Sequence, residues 1–294
     1  MRVSVGLLLF GAVASPLMAQ QDVQIQTVAA APGIHMLVGS GGNIGVSSGP
    51  DGVFVIDDQY APLTYKIVVA IRRFSTEPIR FVVNTHWHGD HVGGNENMGE
   101  LGALIVAHDN VRGRMSVKQV MEALGRTVPA SPKGALPVVT FSETTTFHLN
   151  GDELYVFHVP HAHTDGDAII HFRRGNVVHM GDTFFNGAYP FIDLGSGGSI
   201  DGMIHAADAV LARIDGETKI IPGHGALGTR ADLKAYRDVL AIARDRVTDA
   251  IAQGMTLEQV KAAKLMAEYD EAWGQAFINP NQFVEFVYRS LRAQ

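Results

Sequence analysis

The run Ile79–Asn84 (IRFVVN) leads directly into the segment Thr85–His91 (THWHGDH). The first run is short, apolar and rich in β-branched and aromatic residues, which is typical of a buried strand. The second segment places three histidines and an aspartate within six residues. Because catalytic groups gather on the loops that leave the carboxyl ends of strands in mixed α/β sheets, we predict that this loop carries the active site.

The spacing of these four side chains allows them to reach two cations. His86 and His88 alternate in an extended turn, so both can point to one ion. Gly89 allows the backbone to reverse, so that Asp90 and His91 can face a second ion. The chain contains no cysteine, and any metal site must therefore use imidazole and carboxylate ligands.

Three later strand-like runs each end at a further candidate ligand. His163 follows the run 153–159, Asp182 follows the run 177–180, and His224 follows the run 219–221. Delivery of ligands by several strand ends to the same edge predicts a dinuclear metal centre.

Strands and helices alternate over the first 225 residues, which predicts a layered α/β architecture. Helical spacing of apolar residues predicts helices over 111–124 and 200–214. We predict one domain over 21–228 and a C-terminal helical extension over 229–294, packed on the same domain. The extension has apolar residues at steps of three and four, and a capping-box sequence begins at Thr256.

Residues 1–20 have the organisation of a signal peptide. A positive start at Arg2 is followed by the apolar run Val3–Ala14 and a small-residue cleavage region, with cleavage expected after Ala19 or Gln20. The run is too short to span a bilayer as a stable helix. We therefore expect a periplasmic or secreted protein with no membrane attachment after cleavage.

The negative net charge of the chain bears on which partners it can bind. The formal net charge is −7, and phosphate binding requires clustered lysine and arginine. We therefore expect no nucleic-acid partner, and we expect a small-molecule substrate.

The pattern His86-x-His88-x-Asp90-His91, followed in order by His163, Asp182 and His224, resembles the metallo-β-lactamase superfamily. The resemblance covers roughly residues 34–225. It implies an α/β fold of four layers, an αββα sandwich in which two mixed sheets lie face to face with helices outside and metals at one edge. The C-terminal helices would be an addition to that sandwich.

The resemblance also implies a role for each matched residue. One ion would be held by His86, His88 and His163, and the other by Asp90, His91 and His224, with Asp182 bridging them. Asp57 resembles an upstream aspartate that supports the metal loop. His161 competes with His163, but the family form His-Thr-x-x-Asp fits His163 better, which leaves His161 beside the ligands or in the pocket.

The implied activity is that of a zinc-dependent hydrolase in which a hydroxide bridging two zinc ions attacks a carbonyl, with Asp90 as a catalytic residue that orients the hydroxide. Iron and manganese are alternatives to zinc. Trp87, Phe184 and Tyr189 flank ligand-bearing strand ends, and we expect them to contact the substrate.

Export favours a β-lactamase, because β-lactams act outside the cytoplasm. One lactamase subclass, however, has a cysteine where this chain has Asp182, and an aspartate there is similar to glyoxalase II. Hydrolysis of a lactone, thioester or phosphoester is therefore an alternative. A mononuclear iron oxidoreductase resembling persulfide dioxygenases is another.

Overall fold

The computed structural model describes residues 23–293; the predicted signal peptide, residues 1–20, lies outside them. The first large sheet has the order β1-β2-β3-β4-β5-β6-β9. Its neighbours are antiparallel from β1 to β4 and parallel from β4 to β9. Its strands are β1 (Gln26–Ala31), β2 (Ile34–Val38), β3 (Ile44–Gly49), β4 (Gly52–Ile56), β5 (Ile79–Val83), β6 (Leu104–His108) and β9 (Val139–Phe141).

The second large sheet has the order β10-β11-β12-β13-β14-β15. Only its β13–β14 pair is parallel. Its strands are β10 (Thr144–Leu149), β11 (Asp152–His158), β12 (Ala168–Phe172), β13 (Val177–Phe185), β14 (Lys219–His224) and β15 (Gly228–Thr229). A separate hairpin pairs β7 (Gln119–Met121) with β8 (Arg126–Val128).

The helices connect and cover these sheets. The α-helices are α1 (Thr64–Ile71), α2 (Gly89–Val92), α3 (Asn95–Glu100), α4 (Asp109–Met115), α5 (Ile200–Leu211), α6 (Arg230–Ala252), α7 (Leu257–Ala262), α8 (Ala267–Trp273) and α9 (Pro280–Arg292). Short 3-10 helices span Ala61–Leu63, Glu122–Leu124, Lys133–Ala135 and Leu194–Ser196.

Three apolar clusters define four layers. Phe54 and Val83 of the first sheet pack with Val156 and Ile170 of the second, so the two sheets lie face to face. The outer face of the first sheet packs against α1. The outer face of the second sheet packs against α5, α6 and α9. Burial of one face of each element thus produces an αββα sandwich, and the predicted fold class is confirmed.

The C-terminal helices cover the second sheet. The long helix α6 contacts α5, β13, β14 and β15, and it buries Leu233, Tyr236 and Leu240. The predicted capping box at Thr256 is present, with reciprocal hydrogen bonds between Thr256 and Gln259. Between residues 23 and 293, no helix combines the length and the apolar character needed to cross a membrane.

The predicted helix over 111–124 is wrong in its second half. Helix α4 ends at Met115, and the chain then forms the β7–β8 hairpin. Gly125 turns this hairpin with φ of 59°, a left-handed conformation that glycine adopts without steric cost. The β-branched residues Val117 and Val120, whose spacing fitted a helix, are exposed.

Candidate metal centre

The candidate ligands converge at one edge of the sandwich. The loop after β5 carries His86 to His91, and the connection from β11 to β12 carries His163. Asp182 lies within β13, and His224 ends the neighbouring strand β14. Strand β5 belongs to the first sheet, and β13 and β14 belong to the second. Both sheets therefore supply ligands to the site.

The structure brings the seven predicted ligands together in two groups. Within each group, one nitrogen or oxygen atom from every member lies within 4.8 Å of the others. The first group is fully buried, whereas Asp90 and His224 of the second group have side chains that are 25% and 37% exposed. The members are His86, His88, His163 and Asp182 in the first group, and Asp90, His91 and His224 in the second.

Asp182 faces both groups. Its Oδ2 lies 3.5 Å from His163 Nε2 and 3.9 Å from His86 Nε2. Its Oδ1 lies 3.1 Å from His91 Nε2 and 3.5 Å from His224 Nε2. One carboxylate therefore offers a separate oxygen to each group, which is the arrangement that a bridging ligand requires.

Hydrogen bonds to the outer nitrogens set the tautomers of the first group. His163 Nδ1 donates to the carbonyl of Phe191 at 2.9 Å, and His88 Nε2 donates to Asp193 Oδ2 at 2.9 Å. The lone pairs of His163 Nε2 and His88 Nδ1 then face each other at 2.9 Å. Two lone pairs this close repel unless a proton or a cation lies between them, and such outer-nitrogen bonds are characteristic of metal-binding histidines.

Three buried polar atoms at the centre of the site make no hydrogen bond of good geometry, although two of them, His91 Nε2 and Asp182 Oδ1, lie 3.1 Å apart. They are His86 Nε2, His91 Nε2 and Asp182 Oδ1. A buried polar atom without a partner is destabilising, and a divalent cation among these atoms would satisfy all three. The imidazole-rich donor set, with carboxylates and without thiolate, fits zinc. The residues present therefore fit a pair of divalent ions.

Burial and charge fix the protonation of the ligands. Burial lowers the pKa of His86 well below its usual value and that of His163 to about 4, so both are neutral. Burial also opposes the charged forms of His91 and His224. The Asp182 carboxylate outweighs it, raising the pKa of His91 well above its usual value and that of His224 to about 10. Binding of a divalent cation would therefore displace protons from the second group.

Asp57 supports the metal loop from beneath. Its buried carboxylate accepts hydrogen bonds from the backbone N–H and the hydroxyl of Thr85, both at 2.7 Å, and from His91 Nδ1 at 2.8 Å. Asp57 has φ of 60°, an uncommon left-handed conformation for a residue other than glycine. Gly42 packs closely against the His91 ring, since a Cβ on Gly42 would lie 2.1 Å from His91 Cε1.

Three positioning residues had not been predicted from the sequence. Asp193 holds His88, as described above, although no motif marks it. Asn43 donates its side-chain amide to the carbonyls of Pro222 and Gly225, which flank the His224 turn. His179 Nε2 donates to the Asn43 carbonyl at 3.1 Å, and His179 Nδ1 accepts from the N–H of Gly181, next to Asp182. Asn43 lies in a glycine-rich turn, the only sequence signal among the three.

The structure buries two of the side chains that were predicted to contact the substrate. Phe184 is fully buried and packs edge-on against Tyr236 of α6. Tyr189 is 1% exposed, stacks on Phe283 with ring centroids 4.3 Å apart, and donates its hydroxyl to Asp270 at 2.9 Å. Both rings are part of the core between the second sheet and the C-terminal helices, which leaves them no surface for a substrate.

Replacement of Tyr189 by phenylalanine is therefore expected to change stability and not substrate binding. Loss of the hydrogen bond to Asp270 should lower the free energy of unfolding by about 1 kcal/mol. Chemical denaturation checks the stability, and steady-state kinetics should give kcat and KM within about twofold of the wild type. A tenfold change in KM would place Tyr189 in the pocket after all.

Trp87, the remaining predicted contact, and His161 and Tyr60 are close in sequence to the site or to the elements that carry it. Trp87 is 3% exposed, and its indole N–H donates to Ser196 Oγ at 3.1 Å; its contact with substrate stays a prediction. His161 is exposed, its Nδ1 lies 3.0 Å from the Gly197 carbonyl, and it belongs to neither ligand group. Tyr60 is half-buried, and burial together with the Asp90 charge raises the pKa of its hydroxyl.

A family model supports the resemblance that the histidine and aspartate motif indicated. The model of the metallo-beta-lactamase superfamily matches residues 40–250. Two curated relatives are hydroxyacylglutathione hydrolases. The one from Polaromonas sp. is 26% identical over 164 residues, which are 55% of each chain. The one from Pelagibacter ubique is 25% identical over 150 residues, 50% of this chain and 52% of the relative. The chain thus spans about half the length of the curated relatives it matches.

Solved structures share the fold. A sec-alkylsulfatase from Pseudomonas sp. superposes with a TM-score of 0.67 and 17% identity, covering 93% of this chain and 51% of the sulfatase. A metallo-beta-lactamase from Pontibacter korlensis has a TM-score of 0.59 and 20% identity, covering 74% of this chain and 99% of that protein. These likenesses establish the sandwich and its added C-terminal helices, without assigning a substrate.

Proposed function

Because the chain belongs to the metallo-beta-lactamase superfamily, we propose that it is a hydrolase dependent on two divalent metal ions. The observation that carries this proposal is Asp182, whose two oxygens face two separate groups of ligand atoms. His86, His88 and His163 would hold one ion, and Asp90, His91 and His224 the other. Zinc is the proposed metal for this donor set.

When bound, two such ions supply Lewis acidity, polarising a carbonyl and lowering the pKa of a water molecule. The protein's own residues direct the approach of the substrate. The first group is closed to solvent, so the substrate must enter from the side of Asp90 and His224. Burial opposes ionisation of Asp90, but the charges of His91 and His224 prevail and hold its pKa at about 2. Asp90 is therefore ionised at neutral pH and can accept a hydrogen bond from the attacking water.

Cleavage of a thioester or ester is the first candidate reaction. Both curated relatives are named hydroxyacylglutathione hydrolase, and each is similar in sequence to about half of this chain. Cleavage of a β-lactam amide is the second candidate, supported by the signal peptide predicted from residues 1–20. Each reaction attacks a carbonyl carbon, so one site can serve either.

Metal removal tests the proposal. Dialysis against a chelator should abolish hydrolysis, and addition of zinc should restore it with about two ions bound per chain. A panel of a thioester, a lactone, a cephalosporin and a carbapenem, measured as kcat/KM, identifies the substrate class. Undiminished turnover by metal-free protein would contradict the proposed function, and one bound iron would favour the oxidoreductase alternative.

We also propose that the protein is exported, on the basis of residues 1–20. Mass spectrometry of protein recovered from the periplasm or medium of an expressing cell should give a mature N-terminus after Ala19 or Gln20. Recovery of the intact N-terminus in the cytoplasm alone would overturn this proposal.

A further inference from the structure

A cleft of about 190 Å³ lies next to the metal loop. One wall is the loop and the helices that follow it, including Trp87, Gly89 and Val92. The opposite wall is formed by Met115 at the end of α4 and by Val128, which ends the β7–β8 hairpin. The hairpin and the metal loop therefore border the same cleft.

The cleft borders the metal loop at Gly89, although none of the seven candidate ligands lines it. Gly89, which lines the cleft, lies between the ligands His88 and Asp90. A Cβ placed on Gly89 would meet no atom within 4 Å, so the space beside this residue is open. Asp90 is also on the solvent-accessible side of the centre. A substrate whose carbonyl lies at the metal pair can therefore extend a neighbouring group past Gly89 into the cleft.

Three of the polar side chains that border the cleft have partners within the protein, and Glu96 and Ser131 also line it. Arg114 forms two hydrogen bonds of 2.7 Å with Asp165. Gln119 accepts from Arg114 and donates to its carbonyl. Asn97 donates to the carbonyl of Ala61 and to a threonine hydroxyl. Away from Glu96 and Ser131, the lining offers apolar surface to an occupant, chiefly from Trp87, Met115 and Val128.

We propose that this cleft is the subsite for an apolar group, of the size of a phenyl ring, next to the scissile carbonyl. An apolar cavity of about 150 Å³ in another protein accommodates benzene, so a cleft of about 190 Å³ has room for one ring. The proposal rests on the proposed hydrolase function and specifies its substrate class, namely esters, thioesters or amides of small aryl or branched alkyl acids.

Binding can be tested without catalysis. The chain contains two tryptophans, so the Trp273→Phe variant retains Trp87 as its single tryptophan. Trp87 lines the cleft. Titration of metal-loaded protein with benzyl alcohol should change the Trp87 emission saturably, with a Kd in the millimolar range expected for so small a ligand. Absence of a saturable change would overturn the proposal.

A matched pair of hairpin variants locates the binding. Val128→Phe fills the cleft and should weaken benzyl alcohol binding at least tenfold. Val120→Phe places the same ring on the same hairpin at a position that is 55% exposed and outside the cleft lining, and it should change binding less than twofold. Equal losses in the two variants would overturn the proposal. If Val128→Phe does not fold, Met115→Ala provides a second test, because it enlarges the cleft instead of filling it. The larger cleft should allow 2-naphthylmethanol to bind.

Kinetics then separate the two proposals. In the wild type, kcat/KM should be at least tenfold higher for a phenylacetyl thioester than for the acetyl thioester, and Val128→Phe should remove this preference while Val120→Phe retains it. Binding of benzyl alcohol without hydrolysis of any substrate would support the subsite and contradict the hydrolase. Hydrolysis without an effect of Val128→Phe on the preference would support the hydrolase and contradict the subsite.

Discussion

Asp182→Asn is expected to reduce bound metal from about two ions per chain to at most one and to lower kcat/KM by about a thousandfold or more, which is about 4 kcal/mol of transition-state stabilisation. The physical reason is that Asp182 alone faces both ligand groups, with Oδ1 3.1 Å from His91 Nε2 and Oδ2 3.5 Å from His163 Nε2. Asparagine retains one carbonyl oxygen but loses the negative charge and the second acceptor. Metal analysis and steady-state kinetics of the purified variant measure the two effects.

A surface aspartate provides the control for this experiment. Asp245 has a side chain that is 65% exposed and pairs only with its neighbour Arg244 among the contacts seen in residues 23–293. Asp245→Asn removes the same charge from the chain and should leave both metal content and kcat/KM within twofold of the wild type. Two ions and full turnover in Asp182→Asn would show that Asp182 does not bridge the site.

Asp57→Asn is expected to destabilise the fold by about 3 kcal/mol and to weaken metal binding by about 10- to 100-fold. The Asp57 carboxylate is fully buried and accepts three hydrogen bonds, two from Thr85 and one from His91 Nδ1. An asparagine NH₂ group facing His91 cannot accept from Nδ1–H. His91 would then favour the tautomer with its proton on Nε2, the nitrogen that faces Asp182 and would bind the metal.

Thermal unfolding and metal titration measure the two effects of Asp57→Asn. For a chain of this size, 3 kcal/mol corresponds to a decrease in Tm of about 5 °C. Asp51→Asn is the matched control, because Asp51 is an exposed aspartate in the turn before β4 whose carboxylate accepts from the N–H of Asn150. Its Tm should change by less than about 3 °C. Unchanged metal affinity in Asp57→Asn would contradict the tautomer argument.

Local signals in the sequence predicted the layered α/β architecture and the ligand-bearing loops, whereas the four-layer sandwich was implied by the family resemblance. The strand Ile79–Val83 and the loop that follows it are adjacent in the chain, so their relation depends on periodicity and strand polarity. The order of His163, Asp182 and His224 after this loop likewise follows from the chain itself. The predicted helix over 111–124 was too long because Val117 and Val120 have a spacing that fits a helix. The chain instead turns at Gly125 and forms a hairpin.

Phe184 shows why proximity in sequence to a ligand does not imply contact with substrate. Simple alternation along a strand would place Asp182 and Phe184 on the same face. Strand β13 is irregular, however, with φ of 52° at Gly181 and register shifts between His179 and Phe185. The pattern of residues cannot reveal such irregularity, so the burial of Phe184 against α6 became evident only in the folded chain.

The sequence by itself determined the chemistry available to the metal loop: its imidazole and carboxylate ligands, the absence of thiolate, and the strand that precedes it. Only the tertiary structure decided which nitrogen of each histidine faces the site. His88 owes its orientation to Asp193, 105 residues further along the chain, and Asn43 reaches the His224 turn across 179 and 182 residues. The identity of a ligand is a property of one side chain and its neighbours, whereas its tautomer depends on hydrogen-bond partners that only folding brings together.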